Sequence, residues 1–161
     1  MLSPAIRFCQ TRDGVRLAYA SQGSGAPLVR AAHFLTHIEY DMESPVWRPW
    51  IDALSQGRQL LRYDGRNCGL SDDSADEPSL DAWVADLEAV VDAAGLERFT
   101  LLGCSQGCAI SIAYTMRHPE RVNALILFGG YLRGLERRRS DEARQKEARL
   151  LLDLVELGWG S

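Results

Sequence analysis

The sequence predicts an α/β fold with a mostly parallel sheet and helices on both faces. Short apolar runs alternate with segments in which apolar residues recur every three or four positions, which is the pattern of strands alternating with helices. In addition, the run Val122–Phe128 is apolar almost throughout. Such a run is typical of a strand buried on both faces of a parallel sheet.

The N-terminal part of the sequence predicts three strands. Ile6–Thr11 and Val15–Ser21 flank Arg12-Asp13-Gly14, whose composition is typical of a hairpin turn. Leu28–Ala32 is the third apolar run, and it follows a stretch rich in glycine. We expect the first two strands to pair with each other through the turn.

The middle part predicts a helix, a strand and a second helix. Trp47–Gln56 is typical of a helix, and Gln59–Tyr63 follows as a fourth strand. A long polar loop covers residues 64–78, and a loop of this length in a compact domain is often functional. Over Leu80–Ala94 the apolar residues share one face, which predicts an amphipathic helix closed by Gly95.

The last strands of the predicted core enclose a helix. Phe99–Leu102 is the fifth strand, Gln106–Met116 the helix after it, and Val122–Phe128 the sixth strand. Leu135–Leu157 is charged at first and then rich in leucine, which predicts one or two helices whose apolar face needs a partner. We therefore divide the chain into a core over residues 1–134 and the start of a helical cap over residues 135–161.

The composition excludes several classes of protein. The chain has 161 residues, of which 46% are hydrophobic and 25% charged, with a formal net charge of −4. These values are ordinary for a soluble globular protein, and the net negative charge gives no indication of a nucleic-acid-binding surface. No segment reaches the ~18 apolar residues of a membrane span, and no secretory signal begins the chain. We expect a cytoplasmic protein without nucleic-acid or membrane partners.

The four cysteines predict neither a metal site nor a disulfide framework. Cys9, Cys68, Cys104 and Cys108 include no C-x-x-C pair. Free thiols in a reducing cytoplasm are the simpler interpretation. We expect no metal and no cofactor.

The motif Gly103-Cys104-Ser105-Gln106-Gly107 predicts a serine nucleophile. It reads G-x-S-x-G and lies between a predicted strand and a predicted helix, where a strained turn exposes the serine hydroxyl. Gly103 and Gly107 have no side chains, which allows the predicted strand and helix to approach each other closely at this turn. The backbone N–H of Gln106 then lies at the helix N-terminus and is a candidate oxyanion donor.

Four stretches resemble the N-terminal part of the α/β-hydrolases. They are, in chain order, DGVRLAYASQGSGAPLV, RYDGRNCGLSD, LLGCSQGCAISIAY and RHPERVNALILFGG. More narrowly, ESPVWRPW, GLSD and FGGYLRG are similar to hydrolase domains found beside bacterial adenylate cyclases and helix-turn-helix regulators. The resemblance implies an α/β-hydrolase sheet that stops before its seventh and eighth strands.

The resemblance also implies where the second oxyanion donor lies. The family commonly has His-Gly after its third strand, and this chain has His33-Phe34. The donor would then be the backbone N–H of Phe34 or Leu35.

The loop RYDGRNCGLSD matches the family's D-x-R-G-x-G-x-S pattern with one departure. Asn67 stands where the pattern has glycine, and asparagine is among the few residues that tolerate a positive φ. Asp64 and Arg66 could form a catalytic pair. The alternative, which we prefer, is that they support the loop beneath the site by hydrogen bonds.

The base and the acid of a triad are not evident in the sequence. The family order is serine, acid, histidine, and Gly129-Gly130-Tyr131 after the sixth strand has no carboxylate. About eleven helical residues separate His118 from Ser105, which is ~16 Å at ~1.5 Å per residue. His33 could be a substitute base, although ordering of the loops is the simpler role, and His37 is a loop residue.

Two interpretations of the chain follow. It is an N-terminal fragment of a serine hydrolase acting on a small ester or related acyl substrate, inactive until the acid and histidine are supplied. Alternatively, it is a non-catalytic module of a bacterial signalling protein that senses a ligand or binds a partner. An open sheet edge or the cap segment could also pair two copies as a homo-oligomer.

Overall fold

The computed structural model describes residues 5–74, 77 and 79–131, together with three helical positions, Lys146, Arg149 and Asp153. The chain divides into two compact units, Met1–Gly130 and Tyr131–Ser161. The helices predicted over Leu135–Leu157 lie outside the described residues except at those three positions. The boundary that we placed after residue 134 stays a prediction.

Six strands form one sheet. They are β1 (Ile6–Gln10), β2 (Arg16–Gln22), β3 (Ala26–Arg30), β4 (Arg58–Tyr63), β5 (Phe99–Cys104) and β6 (Val122–Phe128). The order across the sheet is β1-β2-β4-β3-β5-β6. β2 is antiparallel to both β1 and β4, whereas β3 is parallel to β4 and β5, and β5 is parallel to β6. The predicted mostly parallel sheet with an N-terminal hairpin is confirmed.

Helices cover both faces of this sheet, as predicted. They are α1 (Trp47–Leu54), α2 (Leu80–Ala93) and α3 (Gly107–Arg117), with short 3-10 turns at Tyr40–Met42 and Pro119–Arg121. Neighbouring residues of β3 pack into two hydrophobic clusters on opposite faces of the sheet. Leu28 packs with Ile51 of α1, whereas Val29 packs with Val84 of α2. This alternation is the period-two pattern of a strand with two covered faces.

The ends of the elements differ from the predicted ends by no more than two residues. The first helix stops at Leu54 rather than Gln56, three residues before Gly57 with its φ of 67°. Gly95, also with a φ of 67°, follows the second helix. The side chain of Ser79 accepts a hydrogen bond from the N–H of Ala82 at 3.1 Å and so caps the start of that helix.

The predicted burial of the sixth strand is wrong, although its bounds are confirmed. Leu125, Ile126, Leu127 and Phe128 are 36%, 47%, 46% and 57% exposed. Within the described part of the chain β6 is an edge strand that pairs with β5 alone. An apolar run identifies a strand suited to burial, but burial itself depends on the elements that pack against it.

The described residues contain no helix that is both long enough and apolar enough to cross a bilayer.

Candidate active site

Ser105 occupies a sharp turn between β5 and α3. Its φ is 51°, one of three positive values among the non-glycine residues described. This strained conformation persists because the Ser105 N–H donates to the carbonyl of Phe128 at 2.9 Å and its carbonyl accepts from Cys108 at 3.1 Å. The residue is exposed at the carboxyl end of the parallel strands. The geometry is that of a nucleophile presented to solvent.

The two glycines of the motif leave no room for a side chain. A Cβ at Gly103 would lie 2.7 Å from both the Gly107 carbonyl oxygen and the Ser111 Oγ. A Cβ at Gly107 would lie 3.0 Å from the carbonyl oxygen of Ala32. The close passage inferred from the sequence is therefore present between β5 and α3, and between α3 and the end of β3.

Gln106 stands immediately before α3. Its φ and ψ are −56° and −36°, so it already has helical backbone, and no side chain caps the helix there. The first N–H groups of a helix lack intrahelical partners and carry the positive end of the dipole. The Gln106 N–H is thus placed where an anion beside Ser105 would be stabilised.

Residues 33–42, which we call the oxyanion loop after its predicted role, run beside this turn. The loop follows β3. Just after that strand, the N–H of Ala31 donates a hydrogen bond to the carbonyl of Leu102 of β5 at 2.9 Å. Phe34 and Leu35 are 51% and 53% exposed, and Leu35 has a φ of 65°. The two candidate donors are therefore on a turn at the carboxyl edge of the sheet.

Cys68 lies close to Leu35 and Thr36 of the oxyanion loop. Burial raises the pKa of its thiol, and the backbone N–H groups of Thr36 and Leu35 oppose that rise. The loop after β4, which carries Cys68, and the oxyanion loop are therefore close neighbours.

Asp64 is completely buried beneath the oxyanion loop. Its Oδ2 accepts hydrogen bonds from the N–H of Leu70 at 2.9 Å and of Ile38 at 3.3 Å. Burial raises the pKa of Asp64, which these two N–H groups oppose. In the same loop, Asn67 has the positive φ that its position predicted, 63°. Asp64 thus joins its own loop to the oxyanion loop.

Arg66 belongs to a different network. Its guanidinium contacts Asp86 of α2 at 2.7 Å and Asp13 of the hairpin turn at 2.8 Å. The hydrogen bonds to Asp86 raise the pKa of Arg66, while burial opposes them. The partners of Asp64 and Arg66 are thus different groups, and the support of the loop by these two residues stays a prediction.

Two of the three histidines in the sequence are held by partners away from Ser105. His118 lies just after α3, with its Nε2 2.8 Å from Glu88 Oε1 of α2. His37 accepts a hydrogen bond at Nδ1 from the Tyr40 N–H at 3.3 Å and stacks on the Tyr40 ring at 4.0 Å.

The third histidine, His33, is buried at the start of the oxyanion loop. Its Nδ1 lies 2.7 Å from the carbonyl oxygen of Phe34 and must carry the proton, because a carbonyl can only accept. Burial lowers the pKa of His33, and the charge of Arg30 lowers it further. The hydrogen bond of His33 thus joins the ring to the Phe34 peptide, and burial disfavours the charged form of the ring.

A buried charge cluster that sequence reasoning missed lies at the same edge of the sheet. Arg30 Nη2 and Arg62 Nη1 lie 2.6 Å and 3.5 Å from Asp41 Oδ2. A signal was available, because LVR and LLR each place an arginine directly after two apolar residues of a strand. Strand periodicity counts such a residue as the end of the apolar run and gives no indication of its burial.

No group of three or more residues among histidine, cysteine, aspartate and glutamate is placed to hold a metal ion within the residues that the structure describes.

Comparison with known proteins identifies the class. The family model for the α/β hydrolase fold matches residues 38–150. Over 134 residues the chain is 32% identical to a cis-3-alkyl-4-alkyloxetan-2-one decarboxylase of Shewanella oneidensis, covering 78% of this chain and 39% of that protein. Over 84 residues it is 37% identical to a 2-hydroxymuconate semialdehyde hydrolase of a Pseudomonas species, covering 52% and 30%.

Solved structures agree with that class. A hydrolase from Pseudomonas aeruginosa superposes with a TM-score of 0.73 at 24% identity, covering 92% of this chain and 52% of that one. An α/β hydrolase fold protein from Chitinophaga pinensis gives 0.69 at 25% identity, covering 88% and 54%.

The chain therefore belongs to the α/β-hydrolase fold family. It spans 39% and 30% of the length of the two curated relatives. The narrower resemblance to domains beside adenylate cyclases and helix-turn-helix regulators stays a prediction.

Proposed function

We propose that the protein is a serine hydrolase acting on an ester or a related acyl compound, with Ser105 as the nucleophile. The observation that carries the proposal is the exposed Ser105 with its φ of 51° between β5 and α3. A serine held in that conformation at the N-terminus of a helix suits attack on a carbonyl carbon.

In the proposed reaction, the Ser105 Oγ bonds to the carbonyl carbon as its proton passes to a base. The carbonyl oxygen becomes an oxyanion, which the N–H of Gln106 and that of Phe34 or Leu35 stabilise. Collapse of this intermediate breaks the bond to the leaving group, which takes up the proton. Water then attacks the acyl-serine in the same manner and releases the acid.

We propose that the base and the acid come from outside the 161 residues of this chain. The support is that His118, His37 and His33 are held by Glu88, Tyr40 and Phe34 respectively. The chain alone should then react slowly.

A fluorophosphonate probe with added imidazole tests this proposal. Such a probe modifies activated serines, and imidazole in solution can replace a missing histidine base. We expect slow labelling of the 161-residue chain that accelerates at least about tenfold with imidazole. Ser105→Ala should abolish the labelling, whereas Ser24→Ala, at an exposed serine in the loop before β3, should leave it unchanged.

A second candidate is a cytoplasmic module of the hydrolase fold that has lost the chemistry and that senses a ligand or binds a partner in signalling. The same partners of the three histidines favour it, because none of them is Ser105. Absence of labelling with imidazole, together with saturable binding of a small ligand, would support this module and contradict the hydrolase.

A further inference from the structure

The oxyanion loop is attached to the sheet mainly through a residue near its end. Phe34 and Leu35 lie near its start, and Asp41 near its end, in the 3-10 turn Tyr40–Met42. Asp41 is 5% exposed, which is unusual for an aspartate on a loop. Its burial requires a compensating charge.

Two strand arginines supply that charge. Arg30 of β3 and Arg62 of β4 are direct neighbours in the parallel register, so two guanidinium groups lie side by side on one face of the sheet. Their side chains are 3% and 1% exposed. Asp41 Oδ2 contacts both groups, at 2.6 Å and 3.5 Å, and is the carboxylate that separates the like charges.

Further contacts fix the middle of the loop to the same groups. Arg62 Nη1 donates to the carbonyl of Ile38 at 3.5 Å, and the Ile38 N–H donates to Asp64 at 3.3 Å. The Asp41 N–H donates to the carbonyl of His37 at 2.8 Å. The segment from His37 to Asp41 is therefore held on its backbone and through the Asp41 side chain.

The start of the loop is joined to the cluster through one aromatic ring. The guanidinium of Arg30 lies 5.0 Å from the centre of the Trp47 ring, within the range of a cation–π contact. The His33 ring lies 4.7 Å from that same ring, and His33 holds the Phe34 carbonyl. A displacement of Asp41 or Arg30 would reach the peptide of Phe34 through Trp47 and His33.

We propose that Asp41 is a positioning residue that, through Arg30 and Arg62, holds the second oxyanion donor, the N–H of Phe34 or Leu35, in place beside Ser105. The proposal rests on the proposed function, because the position of these N–H groups matters for catalysis only if an oxyanion forms beside Ser105. A buried ion cluster gains little stability over apolar residues of similar size, since its charges lose their hydration. What such a cluster supplies is a defined geometry, and an oxyanion hole works only when its donors are already in place.

Asp41→Asn is the test, because it keeps the shape and removes the charge. Asp52→Asn on α1 is the matched control, since Asp52 contacts Arg48 at 3.4 Å on the surface. Hydrogen exchange is compared between the oxyanion loop and the buried part of α2. Fluorophosphonate labelling with imidazole is resolved into its maximal rate and its half-saturating probe concentration.

In Asp41→Asn we expect exchange in the oxyanion loop to rise about tenfold while α2 keeps its protection. The maximal labelling rate should fall about tenfold, with the half-saturating concentration within a factor of about two. A purely structural role would change exchange throughout the chain or leave the rate unchanged. Wild-type exchange and rate in Asp41→Asn would overturn the proposal.

If Asp41→Asn fails to fold, the double variant Arg30→Met/Asp41→Leu tests the positioning role of Asp41 instead. It removes one charge of each sign and leaves Arg62 with the nearby Asp64, whose charge favours the guanidinium ion. A folded double variant with a protected loop and a wild-type labelling rate would overturn the proposal. Absence of labelling in the wild type would contradict the hydrolase, and loop exchange would then still test whether Asp41 holds the loop.

Discussion

At the scale of single residues, backbone conformation and burial differ between the proposed nucleophile and the two residues that we predict to support the loop. Ser105, the proposed nucleophile, is an exposed residue with a left-handed backbone conformation that costs free energy. Asp64 and Arg66 are instead buried and have partners on other segments. Their residue types alone would have suited either role.

His33 predicts a pH dependence of stability. Its pKa is lowered in the folded protein, by burial first and then by Arg30, so the unfolded chain binds a proton more readily. Stability should therefore fall as the pH drops below the unfolded value of about 6.5, by at most ~1.4 kcal/mol per pH unit.

Urea unfolding at pH 7.5 and 5.5 measures this effect. In His33→Asn the side-chain amide can still donate to Phe34, but it does not titrate. We expect the wild type to lose about 1 kcal/mol more than this variant between the two pH values. Equal losses would show that His33 is not the group responsible.

At the scale of elements, the sheet has one edge that is well suited to association. β6 is uncharged, its side chains are partly exposed, and in the described part of the chain it pairs only with β5. Such an edge presents unpaired N–H and carbonyl groups to other chains.

We expect two copies of the chain to associate through β6. Ile126→Lys places a charge on the edge and should shift the sedimentation of the protein, at about 100 µM, towards the monomer. Met116→Lys is the control, because Met116 is 80% exposed on α3 and does not belong to β6. A monomeric wild type, or equal effects of both substitutions, would contradict pairing through this edge.

At the scale of the Met1–Gly130 unit, Arg66 joins segments that are distant in the sequence. It connects the hairpin turn at Asp13, the loop after β4, and α2 at Asp86. Asp86 and the Arg66 side chain are almost fully buried, so removal of the Asp86 charge leaves the buried guanidinium with Asp13 alone, whose side chain is 47% exposed.

Asp86→Asn should therefore lower the free energy of unfolding by roughly 3–5 kcal/mol. Asp81→Asn is the matched change on the same helix. Asp81 pairs with Arg117 on the surface, and its loss should cost less than about 1 kcal/mol. Urea denaturation compares the two, and similar losses would show that the Arg66 cluster does not hold the unit together.

The elements themselves were largely predictable because each has a local cause. Hydrophobic periodicity and glycine placement located all six strands and three helices of the described core to within two residues. The turn that carries Ser105 was predictable for the same reason, since Gly103, Ser105 and Gly107 lie within five consecutive residues. The positive φ of Asn67 also follows from a local substitution for glycine.

By itself, then, the sequence determined the α/β class, the order of the elements and the nucleophile candidate, all of which depend on residues close together in the chain. The tertiary structure decided the rest. It left β6 exposed and brought Arg30 and Arg62 together around Asp41. These results depend on which strands become neighbours, because burial and charge compensation arise between segments that only the folded sheet brings into contact.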